Sequence, residues 1–309
     1  MPLMPSLPLT APHKWQYNPP DYGSPMPSLA DILREAQDKL EDVTDTPRLD
    51  AEILLAHALD IGRAQLLARL QDGYSTDTTF DTMLARRVKA EPIAYILGEW
   101  EFFSLPFHVE SPVLVPRPET EHLVEVALEH VNERGGEAPR LLEIGTGTGC
   151  VAISCLKHLP QATCIATDIR PDNLILTQKN ACRHHIENRL HLLVADAFSA
   201  ISSDVQFDAI LSNPPYISLN DKSDLPAVVR DYEDPVALFS GEEGLDMIEI
   251  LISDSKSHLI PGGLLAFEIG AGQHHNVIIR MEKEGYSDVT WRNDLAGIHR
   301  IISGLAPHV

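Results

Sequence analysis

A glycine-rich turn between an apparent strand and an apparent helix constrains the fold of this chain more than any other feature. Arg140–Ile144 is mostly apolar, residues 145–149 read Gly-Thr-Gly-Thr-Gly, and residues 150–159 have a helical pattern. Strand, glycine loop and helix together predict the start of a βαβ unit. A dinucleotide fingerprint would need its third glycine where Cys150 stands. The spacing therefore favours a cofactor without a pyrophosphate, such as S-adenosylmethionine, and the alternative is a plain tight turn.

Polar residues follow the next three predicted strands, where each strand ends. Strand 162–167 leads to Asp168, which lies about 20 residues past the glycine loop and is placed to accept hydrogen bonds from ribose hydroxyls. Strand 191–194 precedes Asp196, which could accept from an adenine amino group or be an exposed loop acid. Strand 207–211 leads to Asn213. Since open α/β sheets bind ligands at the carboxyl ends of their strands, we expect one shared cavity there.

The tetrapeptide Asn213-Pro214-Pro215-Tyr216 suits a substrate nitrogen whose lone pair is delocalised. The Asn213 side-chain carbonyl and the Pro214 backbone carbonyl could each accept one N–H of a substrate NH2 group. Holding both hydrogens aims the lone pair at an electrophilic methyl. Pro215 stiffens Pro214, and Tyr216 offers a flat face for a planar amide or base. The alternative interpretation is a strand followed by a proline-rich turn.

The remainder of the chain completes the predicted sheet. Helices are expected at 243–257 and 273–284, and strands at 264–269, 286–291 and 298–303, of which the last two form an antiparallel hairpin. This pattern predicts an α/β fold with a seven-stranded, mostly parallel sheet and one reversed strand. That is the class I (Rossmann-like) methyltransferase arrangement.

The chain divides into four predicted parts. Residues 1–27 are a proline-rich disordered tail. Residues 28–98 form a small all-α domain, with helices at 29–40, 48–59, 63–70 and 77–90 and a capping box at Ser28. Residues 99–118 are a β-hairpin linker turning at 104–106, and residues 119–309 are the methyltransferase domain. A helix is expected at 116–133. In one interpretation Arg117 or Thr120 lies beside the cofactor, and in the other the proline and the acidic residues only favour the start of the helix.

Composition limits the classes of partner. The 309 residues include 45 acidic and 24 basic side chains, giving a formal charge of −21, which argues against broad nucleic-acid binding. The same charge suits a protein partner. No apolar run reaches the roughly 18 residues of a membrane span. The four cysteines lack CxxC spacing, so we expect reduced thiols, no metal site and a cytoplasmic protein.

Taken together, five segments resemble the HemK/PrmC family of protein-(glutamine-N5) methyltransferases. They are residues 91–98 (EPIAYILG), 115–121 (VPRPETE), 143–149 (EIGTGTG), 212–217 (SNPPYI) and 294–297 (DLAG), within a match over about residues 29 to 304. The resemblance implies S-adenosylmethionine as donor. It implies, as acceptor, the glutamine of the Gly-Gly-Gln loop in class 1 peptide chain release factors. It also implies that the helical domain helps to dock the release factor.

The resemblance further implies which residues form the site. Cofactor binding falls to Gly145, Thr146, Gly147, Thr148, Gly149, Asp168, Asp196, Ala197 and Asn213. Glutamine binding falls to Asn213, Pro214, Pro215 and Tyr216, of which Asn213, Pro214 and Tyr216 are catalytic. Some members have an aromatic residue at the position of Ala197, so we expect only a backbone or small contact with adenine there.

Other activities remain open at this point. The Asn-Pro-Pro-Tyr motif also serves N6-adenine or N4-cytosine methylation of nucleic acids, in which a flipped base would rest on Tyr216. A ribosomal-protein glutamine methyltransferase and a binding module without chemistry are further alternatives. The expected protein is a bacterial cytoplasmic monomer without stable nucleic-acid or membrane partners; an organellar location is the alternative.

Overall fold

The computed structural model describes residues 26–74 and 78–307. Most of the predicted proline-rich tail (residues 1–25) and the predicted start of the fourth helix at residue 77 lie outside these described residues. No helix within the described ranges is long and apolar enough to cross a membrane.

Five short helices form the amino-terminal part of the described chain. The predicted capping box is confirmed, since Asp31 N donates to Ser28 Oγ and Ser28 N donates to Asp31 Oδ2, each at 3.2 Å. A fifth helix was missed because it has only five residues, and it ends at Gly98 with φ 75°. The helices are α1 (Leu29–Leu40), α2 (Pro47–Ala58), α3 (Arg63–Ala68), α4 (Thr78–Arg87) and α5 (Ile93–Leu97).

The hairpin after these helices comprises β1 (Glu99–Phe102) and β2 (Leu105–His108). The predicted turn at 104–106 was wrong, since the observed turn is at 103–104. Phe103 and Ser104 both have positive φ, at 50° and 59°, as a two-residue hairpin turn that matches the strand twist requires. Pro106 therefore belongs to β2, an outer strand that tolerates proline.

A seven-stranded sheet forms the centre of the larger part, in the order β5-β4-β3-β6-β7-β9-β8. The predicted mostly parallel sheet with one reversed strand is confirmed: β9 runs antiparallel to both β7 and β8 and lies between them. The strands are β3 (Arg140–Ile144), β4 (Thr163–Asp168), β5 (Leu190–Val194), β6 (Phe207–Ser212), β7 (Leu259–Glu268), β8 (Ser287–Asn293) and β9 (His299–Leu305).

Helices pack on both faces of the sheet, over two apolar clusters. One cluster centres on Leu123, Val151 and Leu156, and the other on Ile210, Ile248 and Phe267. Burial of these two faces leaves the carboxyl edge of the strands for the site. The covering helices are α6 (Glu121–Arg134), α7 (Cys150–His158), α8 (Pro171–Arg183), α11 (Asp246–His258) and α12 (His274–Lys283), with short α9 (Ala227–Arg230) and α10 (Pro235–Leu238) after β6.

Two further predictions are corrected. Residues 116–133 do not form one helix, because a 3-10 turn, Pro118–Thr120, precedes α6. Strand β7 begins at Leu259, whereas the sequence indicated a turn at 261–263. A register shift between Phe207 and Ala209 accommodates this glycine-containing stretch beside β6. The 3-10 turn has a functional consequence, since it carries Thr120 to the carboxyl edge of the sheet.

Candidate active site

A cavity of about 380 Å³ lies at the carboxyl edge of β3, β4 and β6. Its walls combine the glycine loop, the ends of these strands and the segment that carries α10. Of the residues predicted from sequence, the lining includes Gly145, Thr146, Gly147, Thr148, Asp168, Asp196, Ala197, Asn213 and Pro215. The expected convergence of strand ends on one cavity is therefore present.

The glycine loop presents its backbone to this cavity. Gly145 and Thr146 both donate through their N–H groups to Thr167 O at 2.9 Å, which ties the loop to β4. Gly145 has φ 75°, and a Cβ there would meet nothing within 4 Å. The backbone is therefore open to a ligand at this point, as a cofactor-binding loop requires.

Gly149 differs from the other two loop glycines. It is the N-cap residue of α7, with φ 81°, and a Cβ there would lie 2.7 Å from Cγ2 of Thr177. Gly149 is not among the described residues that line the cavity. Its position thus serves close packing between α7 and α8 rather than the cavity wall.

Asp168 lines the cavity and also braces the glycine loop. Its Oδ2 accepts from Gly147 N at 2.9 Å, and its Oδ1 accepts from Arg170 N at 2.9 Å. The amide of Asn173 lies 3.2 Å from both carboxylate oxygens. A carboxylate offers about four acceptor positions, so a ribose diol would share this carboxylate or replace Asn173 on it.

The predicted adenine end of the cavity is lined by Asp196 and Ala197. Phe198 points elsewhere, stacking on His258 at 5.3 Å between ring centroids. Apolar lining comes instead from Ile169 and Ile250, which sequence reasoning missed. Ile169 is 49% exposed and directly follows Asp168. An apolar residue next to a candidate ribose acceptor was the sequence signal that could have identified it as part of the cavity lining.

Asn213 belongs to a buried chain of hydrogen bonds. Its Nδ2 donates to Thr120 Oγ1 at 3.1 Å, and Thr120 Oγ1 donates to Glu268 Oε2 at 2.5 Å. Tyr216 donates its hydroxyl to the other oxygen, Oε1, at 2.9 Å. Burial raises the pKa of Glu268 to about 7, although both donors oppose the shift. Sequence reasoning missed Glu268, which ends an otherwise apolar strand.

The Asn-Pro-Pro-Tyr residues divide between the cavity and its support. Asn213 and Pro215 line the cavity, whereas Pro214 and Tyr216 are absent from its described lining. Burial raises the pKa of Tyr216, so its hydroxyl stays protonated and donates to Glu268. The structure thus places Tyr216 behind Asn213, where its hydroxyl cannot face the ligand.

Of the two residues proposed in the 116–133 segment, Thr120 lines the cavity. Arg117 instead pairs with Glu233 at 2.6 Å, Nη2 to Oε2, and the Glu233 side chain is 1% exposed. Asp234 accepts from Arg170 and donates its backbone N–H to Pro112 O. The segment that carries α10 is therefore fastened to the hairpin linker beside the cavity.

Glu143 is a second buried carboxyl in the cavity wall that the site prediction lacked. Its Oε2 accepts from Thr146 Oγ1 at 2.6 Å and from Ala152 N at 3.2 Å. Burial raises the pKa of Glu143 to about 8. The carboxyl holds the glycine loop against the first turn of α7.

Comparison with known proteins agrees with this architecture. Residues 31–98 match the PrmC N-terminal domain, and residues 121–229 match the Methyltransferase small domain. A methyltransferase from Pyrococcus furiosus has the same fold, with a TM-score of 0.51 and 18% identity, covering 74% of this chain and all of that one.

Full-length relatives are more similar. A release factor glutamine methyltransferase from Rhodopirellula baltica is 38% identical, over 84% of this chain and 90% of the relative. One of the same name from Coxiella burnetii is also 38% identical, over 90% of this chain and 98% of the relative. The predicted fold class, methyltransferase activity and S-adenosylmethionine donor are confirmed. This chain belongs to the HemK/PrmC family of protein-(glutamine-N5) methyltransferases.

Proposed function

We propose that this chain transfers a methyl group from S-adenosylmethionine to the N5 amide nitrogen of the glutamine in the Gly-Gly-Gln motif of class 1 peptide chain release factors. One observation carries the proposal: Asn213 lines the same cavity as the glycine loop and Asp168. A side-chain amide and a cofactor site therefore meet at one place. The relatives named release factor glutamine methyltransferase support this acceptor.

The residues present fit the cofactor. Open backbone at Gly145 suits close approach of the methionine moiety, and the Asp168 carboxylate at the tip of β4 suits the ribose hydroxyls. Ile169, Ile250 and Ala197 give an apolar place for the adenine ring. When bound, S-adenosylmethionine supplies an electrophilic methyl group on a positively charged sulfur.

The chain's own contribution is to hold the acceptor nitrogen. Asn213 Oδ1 and the Pro214 backbone carbonyl each accept one N–H of the glutamine NH2 group. With both hydrogens held, the nitrogen lone pair would point at the methyl carbon, so that an N–C bond would form while the S–C bond breaks and leaves its electrons on sulfur. The nitrogen loses one proton to water afterwards, so no side chain has to act as a base before the attack.

Partner recognition is proposed to involve residues 28–98 as a docking domain, joined through the 99–118 linker to the 119–309 catalytic domain. Tyr232 Oη donates to Lys89 O at 2.7 Å, and Tyr95 Oη donates to Val113 O at 2.5 Å. These bonds connect the helical part to segments next to the cavity lining, since Val113 precedes Leu114 and Tyr232 lies shortly before Asp234. A net charge of −21 suits a basic protein surface better than nucleic acid. We propose a monomer that acts in the bacterial cytoplasm, without stable nucleic-acid or membrane partners.

Mass spectrometry of a release factor tests the proposal. The purified factor is incubated with the enzyme and S-adenosylmethionine, digested, and examined at the Gly-Gly-Gln peptide. We expect one added methyl on the glutamine side chain and none when that glutamine is replaced by glutamate. Methylation of duplex DNA, or of a ribosomal protein in preference to the release factor, would overturn the assignment.

A further inference from the structure

Glu268 is a fully buried carboxyl that the mechanism above does not use. It ends β7 at the carboxyl edge, next to β6, with 0% of its surface exposed. Both of its oxygens accept a side-chain hydrogen bond, from Thr120 and from Tyr216. Because burying a charged carboxyl is costly, the two donors aimed at it offset part of that cost for the ionised form.

The donor and acceptor pattern determines the orientation of the Asn213 amide. A threonine hydroxyl has one hydrogen to donate, and Thr120 donates it to Glu268. Thr120 Oγ1 can then only accept from Asn213, so Nδ2 must face it. The carbonyl Oδ1 is left on the opposite side of the amide, free for a substrate N–H. The reversed amide would present its own NH2 to the substrate NH2, and two donors cannot bond.

We propose that Glu268 is a positioning residue for methyl transfer, which fixes through the Thr120 hydroxyl the orientation of the Asn213 amide. This inference rests on the proposed function. Glu268 touches neither substrate nor cofactor and acts through Thr120 over the distances given above.

The second branch of the contact network fixes the backbone of the same motif. Glu268 holds the Tyr216 hydroxyl, while Gln273 Nε2 donates to Tyr216 O at 3.0 Å. Gly244 lies so close that a Cβ there would stand 2.2 Å from Tyr216 O. Tyr216 is thus held at both ends, and the Asn213 branch through Thr120 can be tested separately from it.

Protonation of Glu268 would reverse the pattern. A protonated carboxyl can donate to Thr120, which then donates to Asn213 and turns the amide over. The charged groups around Glu268 are Glu119, which raises its pKa, and Arg300, which lowers it. We therefore expect the rate of methyl transfer to rise with pH through about 7, and this dependence to be lost in Glu268→Gln.

The test compares three single variants, the Thr120→Val/Asn213→Ala double variant and one control variant of the full chain. Thr120→Val removes the hydroxyl with nearly unchanged shape, Glu268→Gln removes the charge, and Asn213→Ala removes the amide. Thr290→Val is the matched control, since Thr290 pairs with Ser303 at 3.1 Å between β8 and β9. For each variant, kcat, KM for the release factor, S-adenosylmethionine affinity and melting temperature are measured.

We expect Thr120→Val and Glu268→Gln each to lower kcat by about 10-fold or more, with KM and cofactor affinity within about twofold of wild type. In the Asn213→Ala background, Thr120→Val should cause almost no further loss, because both act on the same amide. Thr290→Val should keep the wild-type kcat.

Two results would overturn the inference while leaving the proposed function intact. One is a wild-type kcat in Thr120→Val or in a folded Glu268→Gln variant, and the other is a full additional loss when Thr120→Val is added to Asn213→Ala. A wild-type enzyme that does not methylate the release factor would contradict the proposed function instead. Unfolding of Glu268→Gln does not block the test, because Thr120→Val alone decides it.

Discussion

Replacing Gly149 with alanine should destabilise the protein much more than replacing Gly147. Both glycines have positive φ, 81° and 57°, and an L-residue in that region costs about 1–2 kcal/mol. At Gly147 the nearest atom to a new Cβ is 3.7 Å away, in Val113, which is an ordinary contact. At Gly149 the new Cβ would lie 2.7 Å from Thr177 Cγ2.

The close contact with Thr177 at Gly149 sets the expected difference in unfolding free energy between the two variants. Overpacking of a core typically costs about 1–3 kcal/mol, so Gly149→Ala should lose about 2–5 kcal/mol and Gly147→Ala about 1–2 kcal/mol. Urea denaturation of both variants measures these free energies of unfolding. Isothermal titration with S-adenosylmethionine adds a second measurement, because Thr177 Oγ1 donates to Gly147 O at 3.0 Å and a displaced Thr177 would disturb the loop.

A double variant identifies the cause. Thr177→Ser removes the clashing Cγ2 and keeps the hydroxyl that bonds Gly147. If the argument is right, Gly149→Ala with Thr177→Ser should recover about 1 kcal/mol or more relative to the sum of the two single changes. Equal stability of Gly149→Ala and Gly147→Ala, or strict additivity in the double variant, would refute it.

Three further predictions concern polar side chains of the site and of the helical part. Asn213→Ala should keep cofactor affinity and lower methyl transfer by about 30-fold or more, or about 2 kcal/mol, in a radiolabelled-methyl assay; near-wild-type turnover would contradict it. Arg87→Ala should cost about 3–5 kcal/mol of unfolding free energy, because Asp50 loses its ion-pair partner at 2.7 Å and its side chain is only 6% exposed. A cost below about 1 kcal/mol in urea denaturation would show that the pair contributes little to stability. Burial raises the pKa of Glu143 to about 8 and that of Glu268 to about 7, from 4.5. The folded state therefore keeps protons that the unfolded state releases. As a result, the free energy of unfolding should fall as pH rises from about 4.5 to about 8. Denaturation at about pH 5.5 and about pH 8, both within that range, checks this, and a constant or rising stability would contradict it.

Local patterns predicted the parts of the fold that short-range chemistry controls. Helix α1 was predicted with its observed bounds, since the capping box at Ser28 favours its first turn and an apolar face follows. The turn at Phe103 and Ser104 was misplaced because Phe103 is not a usual turn former, whereas Pro106 is of a type common in turns. Helix α5 was missed because a segment of five residues is too short for helical periodicity.

The candidate site also has a part that sequence patterns predicted and a part that they did not. Residues at strand ends, such as Asp168 and Asn213, could be found because parallel strands share one carboxyl edge. The bond between Thr120 and Glu268 joins positions 148 residues apart, and no periodic pattern encodes such a contact. A buried acid at the end of an apolar strand was the available signal, and it marks both Glu143 and Glu268.

Buried polar groups therefore support the site as much as its lining does. Glu143 fastens the glycine loop to α7, and Glu268 joins the two ends of the Asn-Pro-Pro-Tyr motif through Thr120 and Tyr216. Such arrangements hold reacting groups in place before substrate binds, which lowers the reorganisation needed in the transition state.

A crystal structure of the enzyme with S-adenosylhomocysteine and a Gly-Gly-Gln peptide tests the central claim most directly. We expect Asn213 Oδ1 and the Pro214 carbonyl each to lie about 3 Å from the glutamine amide nitrogen, which faces the cofactor sulfur. A glutamine NH2 held by other groups, or an Asn213 amide turned with Nδ2 toward it, would show that Asn213 and Pro214 do not hold the acceptor.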